Sequence, residues 1–298
     1  MIRLAIRVDS ARAEVVLAEL LELAPGGVEE VQVSPCVVEY AVYGAPGELP
    51  RVPDLNAAVG ASLVEISTSE VPGDWQQRWR QFHKPVLFDA PAPTDATDPE
   101  IPSLCVRPPW EAPATHEGVK VQDIVIDPGQ AFGTGAHAST RTCMELLLAL
   151  AAQEGTHGAL LDIGTGSGLL AIAAARLGFS PVLGLDHDRA SVRAARDNAI
   201  ANGARIDVRL FDLRSQPLPW LGLPERPAGP IVVVANLLRP LLLELARRLP
   251  VAPDSLVAGG LLAGEIDEVT QAFAERLGLR ERLRRGSGEW AAIWLQTR

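Results

Sequence analysis

Apolar and polar residues alternate over positions 1–8, with Arg3 and Arg7 between apolar neighbours, and this period of two predicts a β-strand. From 11 to 23 the spacing changes: Val15, Val16, Leu20 and Leu23 fall on one face of an amphipathic helix. Pro25-Gly26-Gly27 then turns the chain into two strand-like runs, 28–33 and 36–43. A second helix is expected over 55–59 and a further strand over 63–67, which together make a compact split-βαβ unit.

Pro72-Gly73 breaks this pattern, and Asp74 is placed to cap a short helix whose Trp75 and Trp79 share a face at i, i+4 spacing. The stretch 89–102, rich in Pro, Ala, Asp and Thr, has no periodicity and reads as an exposed loop. Beyond Leu104 strands and helices alternate. Strands are expected at 159–163, 182–185, 206–211, 231–235 and 256–262, with helices at 144–152, 169–177, 190–201 and 241–249. Such alternation implies a parallel sheet covered by helices on both faces. The division that follows is 1–70, a linker helix over 71–84, and a larger α/β domain over 85–298.

Composition adjusts this picture in three ways. With 298 residues, 47% of them apolar, the chain has enough material for two packed domains. A formal charge of −10 opposes a broad nucleic-acid-binding face, because such affinity rests on neutralising phosphates, so no direct nucleic-acid partner is expected. No run of some eighteen apolar residues appears and the N-terminus lacks a signal-peptide core, so no membrane partner and a cytoplasmic location are expected. Cys36, Cys105 and Cys143 lie far apart, read as buried packing residues, and suggest neither disulfide nor metal. No metal ligand set is expected from the five histidines either.

Three segments carry the chemistry. In Leu160-Leu161-Asp162-Ile163-Gly164-Thr165-Gly166-Ser167-Gly168 an apolar strand enters a glycine turn that leads into a helix. Glycines permit positive φ and let a ligand approach main-chain amides at a helix start. A dinucleotide fold would place its third glycine where Leu169 stands; here it comes one residue earlier, at Gly168. The next strand ends at Asp186, at the edge of the sheet where an acid can accept from the ribose hydroxyls of an adenosine-containing ligand. Asp188 reads as the cap of the following helix.

The second segment runs from Asp127 to Thr140 and holds Gly129, Gly133 and Gly135, Phe132, His137 and small hydroxyl residues before a helix, an arrangement suited to covering a ligand. His137 reads as a structural hydrogen-bonder rather than a base. The third is Val232-Val233-Val234-Ala235-Asn236, an apolar strand ending in an amide that either orients an incoming amine or caps the next helix. The Asn-Pro-Pro-Tyr tetrad of enzymes that methylate bases or glutamine is missing here.

Taken together, the Ala131-Phe132-Gly133-Thr134-Gly135-Ala136-His137 loop, the glycine turn and the strand-end Asn236 resemble the bacterial methyltransferases of ribosomal protein L11, as do Asp74-Trp75-Gln76-Gln77-Arg78-Trp79 and Gly288-Glu289-Trp290. The resemblance implies an α/β fold: a Rossmann-like, seven-stranded class I S-adenosylmethionine-dependent methyltransferase domain with a small ferredoxin-like α+β N-terminal domain for substrate recognition. It implies S-adenosyl-L-methionine as cofactor. Thr140, Gly164, Gly166, Gly168, Asp186 and Asn236 take cofactor positions, with Asn236 and Phe132 as the residues nearest the chemistry. It further implies methyl transfer to lysine or N-terminal amino groups of a ribosomal protein, most naturally L11, by a monomer acting on the free protein before assembly. Departures at Ala138-Ser139, Leu237-Leu238 and Ala263-Gly264-Glu265 leave room for a lysine methyltransferase of another protein or a small-molecule amine methyltransferase. A nicotinamide-dependent oxidoreductase and a silent cofactor-binding adaptor are the readings from other classes.

Overall fold

The computed structural model describes residues 2–13, 16, 17, 20, 23, 28–44, 49, 50, 53, 55, 59–70, 83–92, 101–113, 120–128, 131–156, 158–222, 224 and 226–297. The chain divides into two compact units, Met1–Phe82 with Gly129–Phe132, and His83–Pro128 with Gly133–Arg298.

The first unit is built on a four-stranded antiparallel sheet of β1 (Ile2–Asp9), β2 (Glu29–Ser34), β3 (Val37–Gly44) and β4 (Leu63–Glu70), in the order β2-β3-β1-β4. The alternation seen at the start of the sequence puts Leu4, Ile6 and Val8 on one face, against Val38 and Tyr40 and the helical residues Val16 and Leu20. On the opposite face Arg3 and Arg7 both pair with Glu39, at 2.5 and 2.7 Å, and Arg7 also reaches Glu65 at 2.7 Å. Cys36 sits in the two-residue turn between β2 and β3 and is exposed, so the expectation of three buried cysteines fails there. The turn needs both of its residues outside the ladder, and β3 accordingly begins at Val37. The Trp75 and Trp79 helix lies outside the described residues, as does most of 71–84; His83 and Lys84 are not helical.

The second unit carries a seven-stranded sheet in the order β10-β9-β8-β11-β12-β14-β13. Its strands are β8 (Ala159–Ile163), β9 (Val182–Asp186), β10 (Asp207–Leu210), β11 (Ile231–Asn236), β12 (Ser255–Leu262), β13 (Arg280–Ser287) and β14 (Trp290–Gln296). The helices are α1 (Ala138–Glu154), α2 (Leu169–Leu177), α3 (Arg189–Ala201), α4 (Arg239–Arg248) and α5 (Ile266–Leu277). A separate three-stranded sheet, β5 (Val86–Phe88), β6 (Ser103–Arg107) and β7 (Val121–Val125), packs into the same core as α1 and α2.

Alternate residues of the central strands enter two cores. Leu160, Val182, Val232, Val234 and Trp294 face α1 and α2, whereas Leu161, Leu183, Val233, Leu256 and Ile293 face α4 and α5. This is the layered arrangement the buried apolar strands foretold. The sheet is mixed, however, because β14 inserts antiparallel between β12 and β13. The edge strand β13 escaped the reading of the sequence since Arg280–Ser287 is exposed and has one apolar side chain, Leu283, in eight.

Candidate active site

Reversal of strand order at β8 sets the place. The chain runs outward from β8 through β9 to β10, then returns to the other side of β8 for β11 and β12, which opens a crevice at the carboxyl ends of these strands. Asp162 on β8 lies opposite Gly184 on β9 and Val234 on β11. Asp186 and Asn236 each stand two residues further along the flanking strands, so all three polar side chains leave the sheet on one face, the face of α1 and α2. Two strand spacings, about 10 Å, separate Asp186 from Asn236.

The glycine turn crosses that gap. Gly164 and Thr165 donate their amides to the Leu185 carbonyl at 2.8 and 2.9 Å, and Gly164, Gly166 and Gly168 all have positive φ. A Cβ on Gly168 would lie 3.0 Å from the Ala195 backbone, so this glycine lets α2 and α3 approach. Asp186 is 7% exposed; its Oδ2 accepts from the Gly166 amide at 2.9 Å and its Oδ1 from the Asp188 amide at 3.0 Å. Acid and turn are therefore locked together, and the remaining lone pairs of the carboxylate are the acceptors open to a ligand. Asp188 caps α3 through the Ala190 and Ser191 amides, as its position in sequence suggested.

Asp162 stands two residues ahead of the first glycine of the turn. In the structure it is 1% exposed; Oδ2 accepts from Thr165 Oγ1 at 2.7 Å and Oδ1 has no hydrogen-bond partner. Burial pushes its carboxyl up to about 7; the Thr165 hydroxyl opposes this, as does the nearby Ala171 amide, which stands outside hydrogen-bonding geometry, and the neighbouring Asp186 charge adds to it. A buried carboxyl with one unmet oxygen suits a site for a positively charged ligand.

Asn236 ends β11 and is not the cap of α4; Leu238 holds that position without a side-chain hydrogen bond, followed by Pro240 in the first turn. Asn236 Nδ2 lies 3.4 Å from Ser139 Oγ and 3.3 Å from Thr140 Oγ1, both hydroxyl residues being 1% exposed. Those hydroxyls belong to α1, which starts six residues before the expected 144. His137 caps it: Nδ1 accepts from the Ser139 amide at 3.2 Å and lies 2.8 Å from Ser139 Oγ, while the ring packs edge-on to Trp290 at 4.8 Å. Burial lowers the His137 pKa, in keeping with a neutral hydrogen-bonding imidazole rather than a base.

Leu237 and the paired glycines of β12 account for one departure noted in the sequence. Leu237 covers the α-carbon of Gly164, where an added Cβ would meet Leu237 Cδ2 at 2.4 Å. Gly260, with φ +78°, lies so close that a Cβ would stand 2.6 Å from the Leu237 carbonyl oxygen and 3.0 Å from Asn236 Oδ1. Gly260→Ala is expected to destabilise the unit by about 3 kcal/mol, from backbone overpacking and an unfavourable φ together, and thermal unfolding would show it as a lowered midpoint. Gly259 is constrained from the other side by Cys143 Sγ, 2.2 Å from a hypothetical Cβ, and burial raises that thiol's pKa. Phe132 is 56% exposed and is grouped with the N-terminal unit. Gly133, one residue on, is tied to the glycine turn by the Ser167 hydroxyl, which donates to its carbonyl at 2.7 Å.

A family model for ribosomal protein L11 methyltransferase matches residues 55–298, a span that holds every side chain just described. The chain belongs to that family. Relatives named ribosomal protein L11 methyltransferase include one from Caldicellulosiruptor saccharolyticus, 31% identical over 76% of this chain and 68% of its own length. Another, from Symbiobacterium thermophilum, is 37% identical over 74% of this chain and 64% of its own. The matched region thus spans about two thirds of the length of these relatives. A crystal structure of a ribosomal protein L11 methylase from Lactobacillus delbrueckii subsp. bulgaricus covers 71% of this chain and 98% of its own, with 25% identity and a TM-score of 0.55. The larger unit has the class I methyltransferase fold, and the family is one of methyltransferases. Among the described residues no helix is long and apolar enough to cross a membrane, and no three potential ligands gather to hold a metal ion.

Proposed function

We propose that the chain is an S-adenosylmethionine-dependent methyltransferase that modifies amino groups, lysine or N-terminal, of ribosomal protein L11. Family membership supports the reaction class and the substrate. The observation that carries the cofactor reading is the alignment on one sheet face of Asp186, hydrogen-bonded to the Gly166 amide, and the buried carboxyl of Asp162 with its unmet oxygen. An adenosine ligand bearing positive charge fits that set: Asp186 offers acceptors for ribose hydroxyls, and Asp162 offers countercharge in a low-dielectric setting.

S-adenosylmethionine supplies an electrophilic methyl, which the amine lone pair takes as the carbon–sulfur bond breaks and sulfur keeps the bonding pair. An α-amine, with an ordinary pKa of about 7.7 to 8.0, is partly neutral near pH 7.5; a lysine near 10.4 must lose its proton to solvent before attack. None of the site's side chains is needed as a dedicated base, and positioning with water exclusion carries much of the rate. Thr140, Gly164, Gly166, Gly168 and Asp186 hold the cofactor, Asn236 holds both cofactor and amine, and Phe132 shapes the substrate channel. The N-terminal unit serves as the recognition module, acting on free L11, and the enzyme works as a cytoplasmic monomer without direct contact to nucleic acid. Incubation of the chain with labelled methyl donor and purified L11, followed by mass spectrometric location of the label, tests this reading. Label on L11 amino groups is the expected result; label on another ribosomal protein alone, or on none, overturns the substrate assignment.

A further inference from the structure

The amide of Asn236 can face its neighbours in either of two orientations, and a pair of hydroxyls does not choose between them, since each hydroxyl both donates and accepts. The choice is made one residue further back. The Ser139 main-chain amide has only a hydrogen to offer, and it points at His137 Nδ1 at 3.2 Å. That nitrogen must therefore be the unprotonated acceptor of the ring. With Nδ1 an acceptor, the contact of 2.8 Å to Ser139 Oγ requires the hydroxyl to donate its proton to the imidazole. Ser139 Oγ is then left to accept, and the group it accepts from is Asn236 Nδ2 at 3.4 Å. Thr140 Oγ1, at 3.3 Å, takes the second hydrogen of the same amide nitrogen. Both donors of Asn236 are spoken for within α1, and Oδ1 is turned to the Gly259–Gly260 side, where neither residue has a side chain to cover it.

We infer that His137 and Ser139 are positioning residues which, by a fixed order of donors and acceptors, present Asn236 Oδ1 as an acceptor to the amine that is methylated. The inference rests on the methyltransferase reading above and adds to it a direction: Asn236 takes a hydrogen from the amine and gives none to it. An acceptor at this place holds an amine through one of its hydrogens and leaves the lone pair free for the methyl donor. It also distinguishes an amine from an oxygen acceptor such as a carboxylate, which has no hydrogen to offer. Trp290, edge-on to the imidazole at 4.8 Å, keeps the ring plane fixed.

The test compares wild type, Ser139→Ala, Ser139→Thr and His137→Asn, measuring kcat and KM for L11 and calorimetric affinity for S-adenosylmethionine. Ser139→Ala removes the link and keeps the cap, and its kcat is expected to fall about tenfold with cofactor affinity held within twofold, the effect of one lost orienting hydrogen bond. Ser139→Thr keeps a hydroxyl, and His137→Asn keeps a capping oxygen that accepts from the same two groups, so both are expected to recover most of the loss. A Ser139→Ala enzyme with kcat within twofold of wild type overturns the inference. So does a loss that tracks weakened cofactor binding, or one that Ser139→Thr does not restore. A folded wild-type chain that binds cofactor and methylates no amine removes the underlying methyltransferase reading instead, and the inference with it.

Discussion

Asn236→Ala lowers kcat by on the order of a hundredfold, the cost expected when a reacting group loses its alignment at an otherwise intact site. Cofactor binding is affected far less, because the groups that would hold adenosine, Asp186 and the glycine turn, are fixed by their own hydrogen bonds to one another and to Leu185. The alanine leaves Ser139 and Thr140 without their amide partner, while Ser139 keeps its contact with His137 Nδ1 and the cap of α1 stays in place. The fold should therefore tolerate the change. Steady-state kinetics on L11 with calorimetry on the same preparation separates the two effects. Full turnover in a variant that still binds cofactor would remove Asn236 from the mechanism.

The second large effect concerns stability and pH. Asp162 holds its proton to about pH 7 in the folded chain, whereas an unfolded aspartate releases it near 3.9. Through the interval between these values the folded state binds the extra proton, so stability falls as pH rises from about 4 to about 7 and levels off above. Between pH 5 and pH 8 this one group costs the wild type about 3 kcal/mol. Asp162→Asn removes that slope. Its oxygen can still accept from Thr165 Oγ1, although the new NH2 group lies where Oδ1 meets no partner, a cost of about 1–3 kcal/mol that does not vary with pH. Urea unfolding at pH 5 and at pH 8 should show the variant gaining on wild type by about 3 kcal/mol over the interval. Parallel losses in the two proteins would mean that Asp162 is ionised throughout. A cationic cofactor beside this carboxyl would favour its charged form, so the site accepts a penalty in the free chain at a position suited to binding.

Gly164, Gly166 and Gly168 were readable because a turn between a buried strand and a helix needs positive φ, and few residues other than glycine supply it. Asp186 and Asn236 were readable because a polar residue ending an apolar strand of a parallel sheet must lie at its carboxyl edge. The start of α1 was not. Ser139 and Thr140 are poor helix formers that resemble loop residues when read alone, and their place in the helix depends on the His137 cap and on burial beside β11. The environment of Asp162 was equally hidden, since its raised pKa comes from burial and from Asp186, 24 residues away along the chain. The same holds for β13, whose arginines satisfy an exposed sheet edge and give no apolar rhythm. Cys36 failed as a core residue because a hairpin turn claimed it.

The pocket at the carboxyl ends of β8, β9 and β11 is the feature on which the rest depends, and calorimetric titration of the whole folded chain with S-adenosylmethionine and with S-adenosylhomocysteine tests it directly. Saturable binding of one molecule of either ligand per chain is the expected result. Absence of binding by both, in a preparation shown by circular dichroism to be folded, would contradict it.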